Sequence, residues 1–441
     1  MMKYKSYKPS GHIGIGDVPE HWKVKRMKHL GDAIIGVTYS PNDVSDTEEG
    51  ILVLRSSNIQ EGVIAFDDCV YLTKEINPKL ITRKGDILIC ARNGSAHLVG
   101  KNICIDENSA GLTFGAFMVV FRGKYWKYLS YFFNSPIFTS QTGMFSTTTI
   151  NQLTSQTLNN LRIAYPSDET EQELICNYLN EQTQKIDTLI ANKKAQAEKL
   201  KELRQIEINN AVTKGLNKNV ELKESGIEWL GKIPKHWEKR KISTNFKIIS
   251  SGTTPEAGKE DYYENGKYFW VNTGDLNDCE IYDCEKKITE KAFNEFSTLK
   301  LFPINTILIA MYGATIGKVG ILKIEATTNQ ACCALADSFK FVPEYIFFSF
   351  IGIKESIIRM SYGGGQPNIS QDTIKQLRIS CPPIEEQIEI AKHLQQRTAV
   401  IDKLIKNTQA QIEKLHELRK IKIYEAVTGK IKVNAYEQAT A

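Results

Sequence analysis

Residues 171–214 read EQELICNYLNEQTQKIDTLIANKKAQAEKLKELRQIEINNAVTK, and residues 386–429 read EQIEIAKHLQQRTAVIDKLIKNTQAQIEKLHELRKIKIYEAVTG. The second stretch repeats the first in fixed register. Ile186-Asp187 matches Ile401-Asp402, Glu198-Lys199-Leu200 matches Glu413-Lys414-Leu415, and Ala211-Val212-Thr213 matches Ala426-Val427-Thr428, always 215 positions apart. Each copy reads as one long helix. Neither Pro nor Gly occurs between Glu171 and Lys214, and good helix formers dominate. Apolar residues recur three and four apart at Ile186, Ile190, Ala197, Leu200 and Leu203, and at Ile401, Ile405, Ile412, Leu415 and Leu418, with charges between. That spacing predicts a narrow helix–helix seam rather than a broad core face. Gly215 and Gly429 are the expected stops. A helix of ~40 residues is ~60 Å long, too long for one compact domain to bury, so its natural partner is the other copy.

Working outward, the repeat includes the approach to each half. SGHIGIGDVPEHW (10–22) corresponds to SGIEWLGKIPKHW (225–237), which places Trp22 on Trp237 and His21 on His236. The Trp residues read as packed anchors. Neither histidine has a neighbouring carboxylate-and-nucleophile set in sequence, and both read as structural. Basic clusters follow at Lys23, Lys25, Arg26 and Lys28, and at Lys239, Arg240 and Lys241. They are solvated faces or phosphate contacts.

Between lead-in and helix lies a globular stretch of about 140 residues in each half, near the usual size of a domain. In the first half, strands are expected at 51–55, 85–91 and 116–121; in the second, at 268–272, 305–311 and 318–324. WKYLSYFFNS (126–135) and PEYIFFSFIG (343–352) are apolar and of helix length, at matching places. LNNLRIAYPSDETEQ (158–172) and IKQLRISCPPIEEQ (374–387) carry a short strand through Pro and carboxylates into the long helix, a helix-start pattern. The expected class is α+β (mixed α/β), with a two-fold internal repeat. The segments are 1–168, 169–216, 217–383 and 384–441: domain, helix, domain, helix and tail.

With 441 residues, 41% hydrophobic and 24% charged, each half can bury an ordinary core. A net charge of +5 permits nucleic acid as a partner without demanding it. The nine cysteines are scattered without a Cys-x-x-Cys pair, so no zinc site is expected and free thiols in a cytoplasmic protein are. No apolar run approaches the ~20 residues of a membrane span, and MMKYKSYKPS does not read as a signal peptide.

The globular stretches share a rhythm but differ in their polar loops. The first half offers Arg55, Ser57 and Asn58; Arg92, Asn93 and Ser95; and Thr148 and Asn151. The second offers Asn272 and Thr273; Tyr312 and Thr315; Asn329 and Gln330; and Gln366 and Asn368. Arg pairs bidentately with guanine, and Asn and Gln pair with adenine, so these are candidate DNA-reading groups. Such loops also serve as plain turns.

Together, the duplicated P-x-HW lead-ins, the LRI…P…EQ passages and the two helices with ID.LI…EKL.ELR resemble the specificity subunit of a Type I restriction–modification enzyme. GDL (274–276), NQAC (329–332) and GQPNIS (365–370) are similar to stretches of that family's target-recognition domains; the first half has TTTINQ (147–152) where the second has QPNIS. The resemblance spans essentially the whole chain. It implies a non-catalytic DNA reader in which each domain recognises half of a split, asymmetric site and the antiparallel helices act as spacer. The residues implied for the seam and partner docking are Ile186, Ile190, Leu200, Leu203, Ile401, Ile405, Ile412 and Leu415. Two modification subunits, which carry S-adenosylmethionine and methylate adenine, are expected as partners, together with restriction subunits. ATP and Mg are likewise expected only on partners. A ~60 Å spacer matches ~17 base pairs at ~3.4 Å per step.

Enzyme readings find little support. Pro-Pro occurs only in Cys381-Pro382-Pro383-Ile384, without the Asn/Asp and aromatic neighbours of an adenine methyltransferase. Gly313-Ala314-Thr315-Ile316-Gly317-Lys318-Val319 is one residue short of a P-loop and ends in Val. Two Glu-x-Lys triplets lack the upstream Pro-Asp of a nuclease site. Two rivals remain: a coiled-coil adaptor that binds proteins, and an orphan DNA-binding decoy.

Overall fold

The computed structural model describes residues 2–433 apart from Ile13, Asp46, Glu61, 144–151 and 362–367. The chain forms two compact units, Met1–Lys193 with Ala410–Ala441, and Lys194–Gln409. Each unit therefore combines one globular domain with a segment of both long helices, Glu169–Lys214 and Ile384–Val427.

In the first unit the main sheet is antiparallel, in the order Asn102–Cys104, Ile87–Cys90, Met118–Gly123, Gly31–Ile35. The run ILIC at 87–90 is apolar at every position because both faces of the sheet are covered. Ile87, Ile89, Val119 and Phe121 point into one core with helix Trp126–Phe133; Leu88, Cys90, Met118 and Val120 point into another. The second unit repeats this with Phe246–Ser251, Cys332–Ser338, Ile307–Ala310 and Val319–Leu322. Ile307 and Ile309 face helix Pro343–Gly352, while Leu308 and Ala310 face the smaller core. The second sheet has a fifth strand, Cys279–Ile281, parallel to Val319–Leu322. All six strands expected from sequence occur, each shortened or shifted by a few residues.

In both units the large core is closed by the long helices. Ile175, Leu179, Ile423 and Val427 complete the first; Ile208, Val212, Ile390 and Leu394 complete the second. A buried tyrosine fixes each junction. Tyr128 donates to the carbonyls of Ala164 and Val427, both at 3.0 Å. Tyr345 donates to those of Ser380 at 3.1 Å and Val212 at 3.2 Å. Within each unit the two helix segments run antiparallel, bridged by Asp187–Arg419 (2.9 Å) in one and Arg204–Asp402 (2.8 Å) in the other. These pairs are the same two residue types exchanged between copies, and at such exposure each contributes at most about 1 kcal/mol.

The seam is narrower than expected from sequence. Ile186, Ile190, Ala197 and Ile401 are buried. Leu200, Ile405, Ile412 and Leu415 are half-buried. Leu203 and Leu418 are not seam residues: they are 41% and 39% exposed. A pair of helices buries only one stripe, and these positions fall beside it.

The lead-in segments act as clamps. Each histidine does meet a carboxylate, supplied about 150 residues downstream. Glu171, in the first turn of its helix, accepts from Trp22 Nε1 (3.1 Å), His21 Nε2 (2.9 Å) and the Tyr4 hydroxyl (2.7 Å). Glu386 accepts from Trp237 Nε1 (3.0 Å) and His236 Nε2 (2.9 Å). The same tryptophans abut the expected helix stops. Gly429 (φ +67°) lies against Trp22 and Pro19, and Gly215 (φ +77°) against Trp237. Each fully buried indole thus holds the start of one helix and the end of the other. The basic lead-in strands pair with the LRI strands, Lys23–Arg26 with Arg162–Tyr165 and Glu238–Lys241 with Arg378–Cys381.

Candidate nucleic-acid interface

The polar loops lie on one scaffold that is built twice. Leu54 accepts from Gly115 N and Val271 from Asn329 N, so the turns that follow, Arg55–Asn58 and Asn272–Asp275, are equivalent. Each is closed by its last side chain: Asn58 Oδ1 accepts from Arg55 N, and Asp275 Oδ2 from Asn272 N, both at 2.8 Å. A second loop follows the central strand. Leu153 N donates to Ala91 O in the first domain, and Ile369 N to Met311 O in the second. Those bonds set Arg92 opposite Gln152 and Tyr312 opposite Asn368 in isolated antiparallel bridges. Close backbone approach also recurs: a Cβ on Gly36 would strike the carbonyls of Phe114 and Gly115, and one on Gly252 the carbonyl of Thr328.

On this shared scaffold the side chains differ. Arg92 is exposed, and its guanidinium lies 5.2 Å from the centroid of the Phe117 ring, which is itself 60% exposed. A cation stacked on an open ring is held in place yet keeps its N–H groups available. Asn93 ties the two loops together by donating to Ser56 Oγ at 3.2 Å, and its own carbonyl oxygen accepts from Ser95 N. Arg55 is bound to Asp68 at 2.7 Å and lines a cavity of about 430 Å³ with Thr38, Tyr39, Ser57 and Phe117. In the second domain the position of Ala116 is taken by Gln330, which accepts from the Thr254 hydroxyl. Tyr312 is exposed, Thr315 donates back to Tyr312 O at 3.1 Å, and Asn329 caps its own turn by accepting from Ala331 N. Asn272 and Thr273 are half-buried, and Asn368 is exposed.

One candidate is reassigned. Asn58 is 1% exposed, and its amide donates to Ala65 O and Asp68 O while its oxygen caps Arg55. It is a positioning residue, because no polar atom is left for a ligand. Thr148, Asn151 and Gln366 lie outside the described residues. Sequence reading missed Phe117, Tyr39 and Thr254. An exposed phenylalanine between a glycine turn and a strand (Gly115-Ala116-Phe117) was the available signal for the first of these.

Among the described residues, no group of three or more His, Cys, Asp or Glu is arranged to hold a metal ion. Burial pushes the Cys104 and Cys284 thiols up to about 11 and Cys176 to about 12, so all three stay protonated near neutral pH.

The family described as the Type I restriction modification DNA specificity domain matches this chain twice, at residues 19–199 and 234–414. The chain belongs to that family and has the organisation of its specificity subunits. It is 26% identical over 436 residues to the putative type I restriction enzyme MjaX specificity subunit of Methanocaldococcus jannaschii, covering 95% of this chain and 96% of that one. A shorter match, 35% identical over 203 residues, is to the MjaIX specificity subunit of the same organism; it covers 45% of this chain and 44% of that one. The EcoKI specificity subunit of Escherichia coli is 23% identical over 441 residues, covering 95% and 91%. A chain solved in a study of complex assembly and conformational transition of the type I R-M system shares the fold. Its TM-score is 0.71 at 14% identity, over 94% of this chain and 99% of that one.

Proposed function

We propose that this chain is the DNA sequence-recognition subunit of a Type I restriction–modification complex, each domain reading one half of a bipartite, asymmetric site. One observation carries the reading: an equivalent backbone bridge presents Arg92 with Gln152 in one domain and Tyr312 with Asn368 in the other. A scaffold built twice with different polar side chains reads two different half-sites, whereas a homodimer reads a palindrome. The chain is a non-catalytic member of the complex. S-adenosylmethionine, ATP and Mg²⁺ belong to the modification and restriction subunits.

The helices supply docking surfaces for those partners. Beside the seam, Leu189, Leu418 and Ile421 are exposed in one unit, and Leu203, Ile206 and Leu404 in the other. These six are three pairs separated by 215 residues. Two equivalent apolar stripes fit two copies of one modification subunit. No described helix is long and apolar enough to cross a membrane, in keeping with a cytoplasmic complex.

Base-resolution mapping of adenine methylation, with the modification subunit expressed with and without this chain, tests the assignment. The expected result is a methylated motif in two unlike halves separated by a fixed gap. Exchanging one domain should change only one half. An unchanged methylome with an active modification subunit would overturn the reading.

A further inference from the structure

The two domains differ at one sheet edge. Cys90 N donates to Lys101 O and Ile105 N to Asp86 O; Ala310 N donates to Lys318 O and Leu322 N to Thr306 O. These matching bonds place Asn102, Ile103 and Cys104 on Val319, Gly320 and Ile321. In the second domain that edge is covered. Cys279–Ile281 pairs with it in parallel, Glu280 opposite Ile321, and Asp278 accepts from Val319 N at 3.0 Å. In the first domain Asn102–Cys104 is the outermost strand and, among the described residues, pairs only with Ile87–Cys90. The outward N–H and C=O groups of Asn102 and Cys104 border a cavity of about 530 Å³, whose other wall carries Val63, Ile64 and Phe66. Val63 is 60% exposed and Phe66 48%.

The missing strand is present in the sequence. Counting from the equivalent turn residues Asn58 and Asp275 sets Gly62–Ile64 on Cys279–Ile281, with Ile64 and Ile281 both against their domain's smaller core. In the first domain the segment instead folds back as a hairpin, Val63–Ile64 on Ile59–Gln60. The hairpin is closed by its own ladder and by Ala65 N donating to Asn58 O at 2.7 Å, and one side chain adds two further bonds. The Asn58 amide donates to Ala65 O (3.0 Å) and Asp68 O (3.1 Å), pinning the far end of the hairpin. Asp275 caps its turn identically but, as a carboxylate, has no N–H with which to hold such a hairpin.

We infer that the open edge at Asn102–Cys104 is a strand-accepting site whose occupant is the chain's own segment Gly62–Phe66, held away by Asn58. Pairing there satisfies edge groups that otherwise face solvent and covers the exposed valine. It also moves the segment that follows the Arg55–Asn58 turn, which couples the edge to the wall of the Arg55 cavity. The inference stands independently of what the loops recognise.

Hydrogen–deuterium exchange on the full chain tests it, with Ile321 and Leu88 as internal references. In the unaltered protein the Asn102 and Cys104 amides should exchange far faster than Ile321. Asn58→Asp keeps the turn cap, as Asp275 demonstrates, and should slow both amides by about tenfold or more. Fast exchange retained in Asn58→Asp while Leu88 stays protected would overturn the inference, as would equal protection of Cys104 and Ile321 in the unaltered protein. Protection gained only on adding modification subunits would replace it with an intermolecular strand. A second measurement covers a folding defect in Asn58→Asp. Val63→Cys puts a thiol opposite Cys104 if the strands pair as Glu280 and Ile321 do. Diamide should cross-link that pair faster in the Asn58→Asp background than without it; equal rates would refute the switch.

Discussion

Removing the carboxylate that clamps a long helix gives the sharpest test of how the units are held together. In Glu386→Ala, the indole N–H of fully buried Trp237 loses its acceptor at 3.0 Å. An orphaned buried donor costs about 1–3 kcal/mol. Losing a negative charge from the first turn of the helix adds about 0.3–1 kcal/mol. His236, whose side chain is 48% exposed, rehydrates at little cost. The expected loss is therefore roughly 1.5–4 kcal/mol, or about 10- to 1000-fold faster local amide exchange. Glu171→Ala should cost more by about 0.5–1.5 kcal/mol, because it also orphans the Tyr4 hydroxyl. Burial first, and then the Glu171 carboxylate, hold that phenol protonated well above the usual tyrosine range, so it donates at every accessible pH. Exchange mass spectrometry on peptides spanning 386–394 and 171–179 reads the two effects separately. Glu→Gln at each site keeps an acceptor and should fall close to the unaltered protein. If Gln proved as damaging as Ala, the charge at the helix end would matter more than the indole hydrogen bond. If neither Ala variant changed exchange, the clamp would have no energetic weight.

Other single sites carry expectations of their own. Arg92→Ala should cost about 1–3 kcal/mol of DNA binding and relax discrimination at one position of one half-site, measured by competition with singly substituted duplexes. A loss that is uniform across sequences, with a shallower salt dependence, would make Arg92 a phosphate contact instead. Gly429→Ala should destabilise by about 1–3 kcal/mol in urea melts, since it combines a left-handed backbone with a methyl driven into the Pro19 ring. Gly231→Ala has a similar φ but open space and should cost less. Leu203→Glu with Leu418→Glu should abolish co-purification of the modification subunit while changing stability by no more than ~0.5 kcal/mol, because both sites are exposed. Bonds from the Ser109 hydroxyl and N–H hold the Asp106 carboxyl below its ordinary range. A folded-state pKa that is depressed contributes stability that is complete above pH ~4 and is lost as pH falls through the lowered value. Asp106→Asn should flatten that acid limb of the unfolding curve, and an unchanged limb would mean that Asp106 contributes nothing to it.

The duplicated architecture was legible because long helices and buried strands leave periodic patterns that survive divergence. The strands at 87–90 and 307–310 were readable as unbroken apolar runs, since a sheet covered on both faces has no polar side. The candidate loops were readable only as composition. Asn58 looked like a DNA-reading group beside Arg55 and Ser57, yet it is wholly consumed by its own turn and hairpin. The histidine–carboxylate pairs were not legible because their members lie about 150 residues apart. Leu203 looked like a seam residue because spacing of three and four marks a face without saying how wide a stripe the partner covers.

By itself, then, the sequence determined the repeat, the two helices with their glycine stops, and a two-domain α+β chain with divergent loops. These follow from local backbone preference and hydrophobic period, which act over a few residues. Only the tertiary structure decided that each tryptophan joins the start of one helix to the end of the other, that Arg92 stacks on Phe117, and that one domain leaves a sheet edge open where its sister closes it. Those outcomes depend on hydrogen-bond partners brought together from distant parts of the chain. At the edge, equivalent segments pair with different partners, and the turn before them ends in an amide, Asn58, in one domain and a carboxylate, Asp275, in the other.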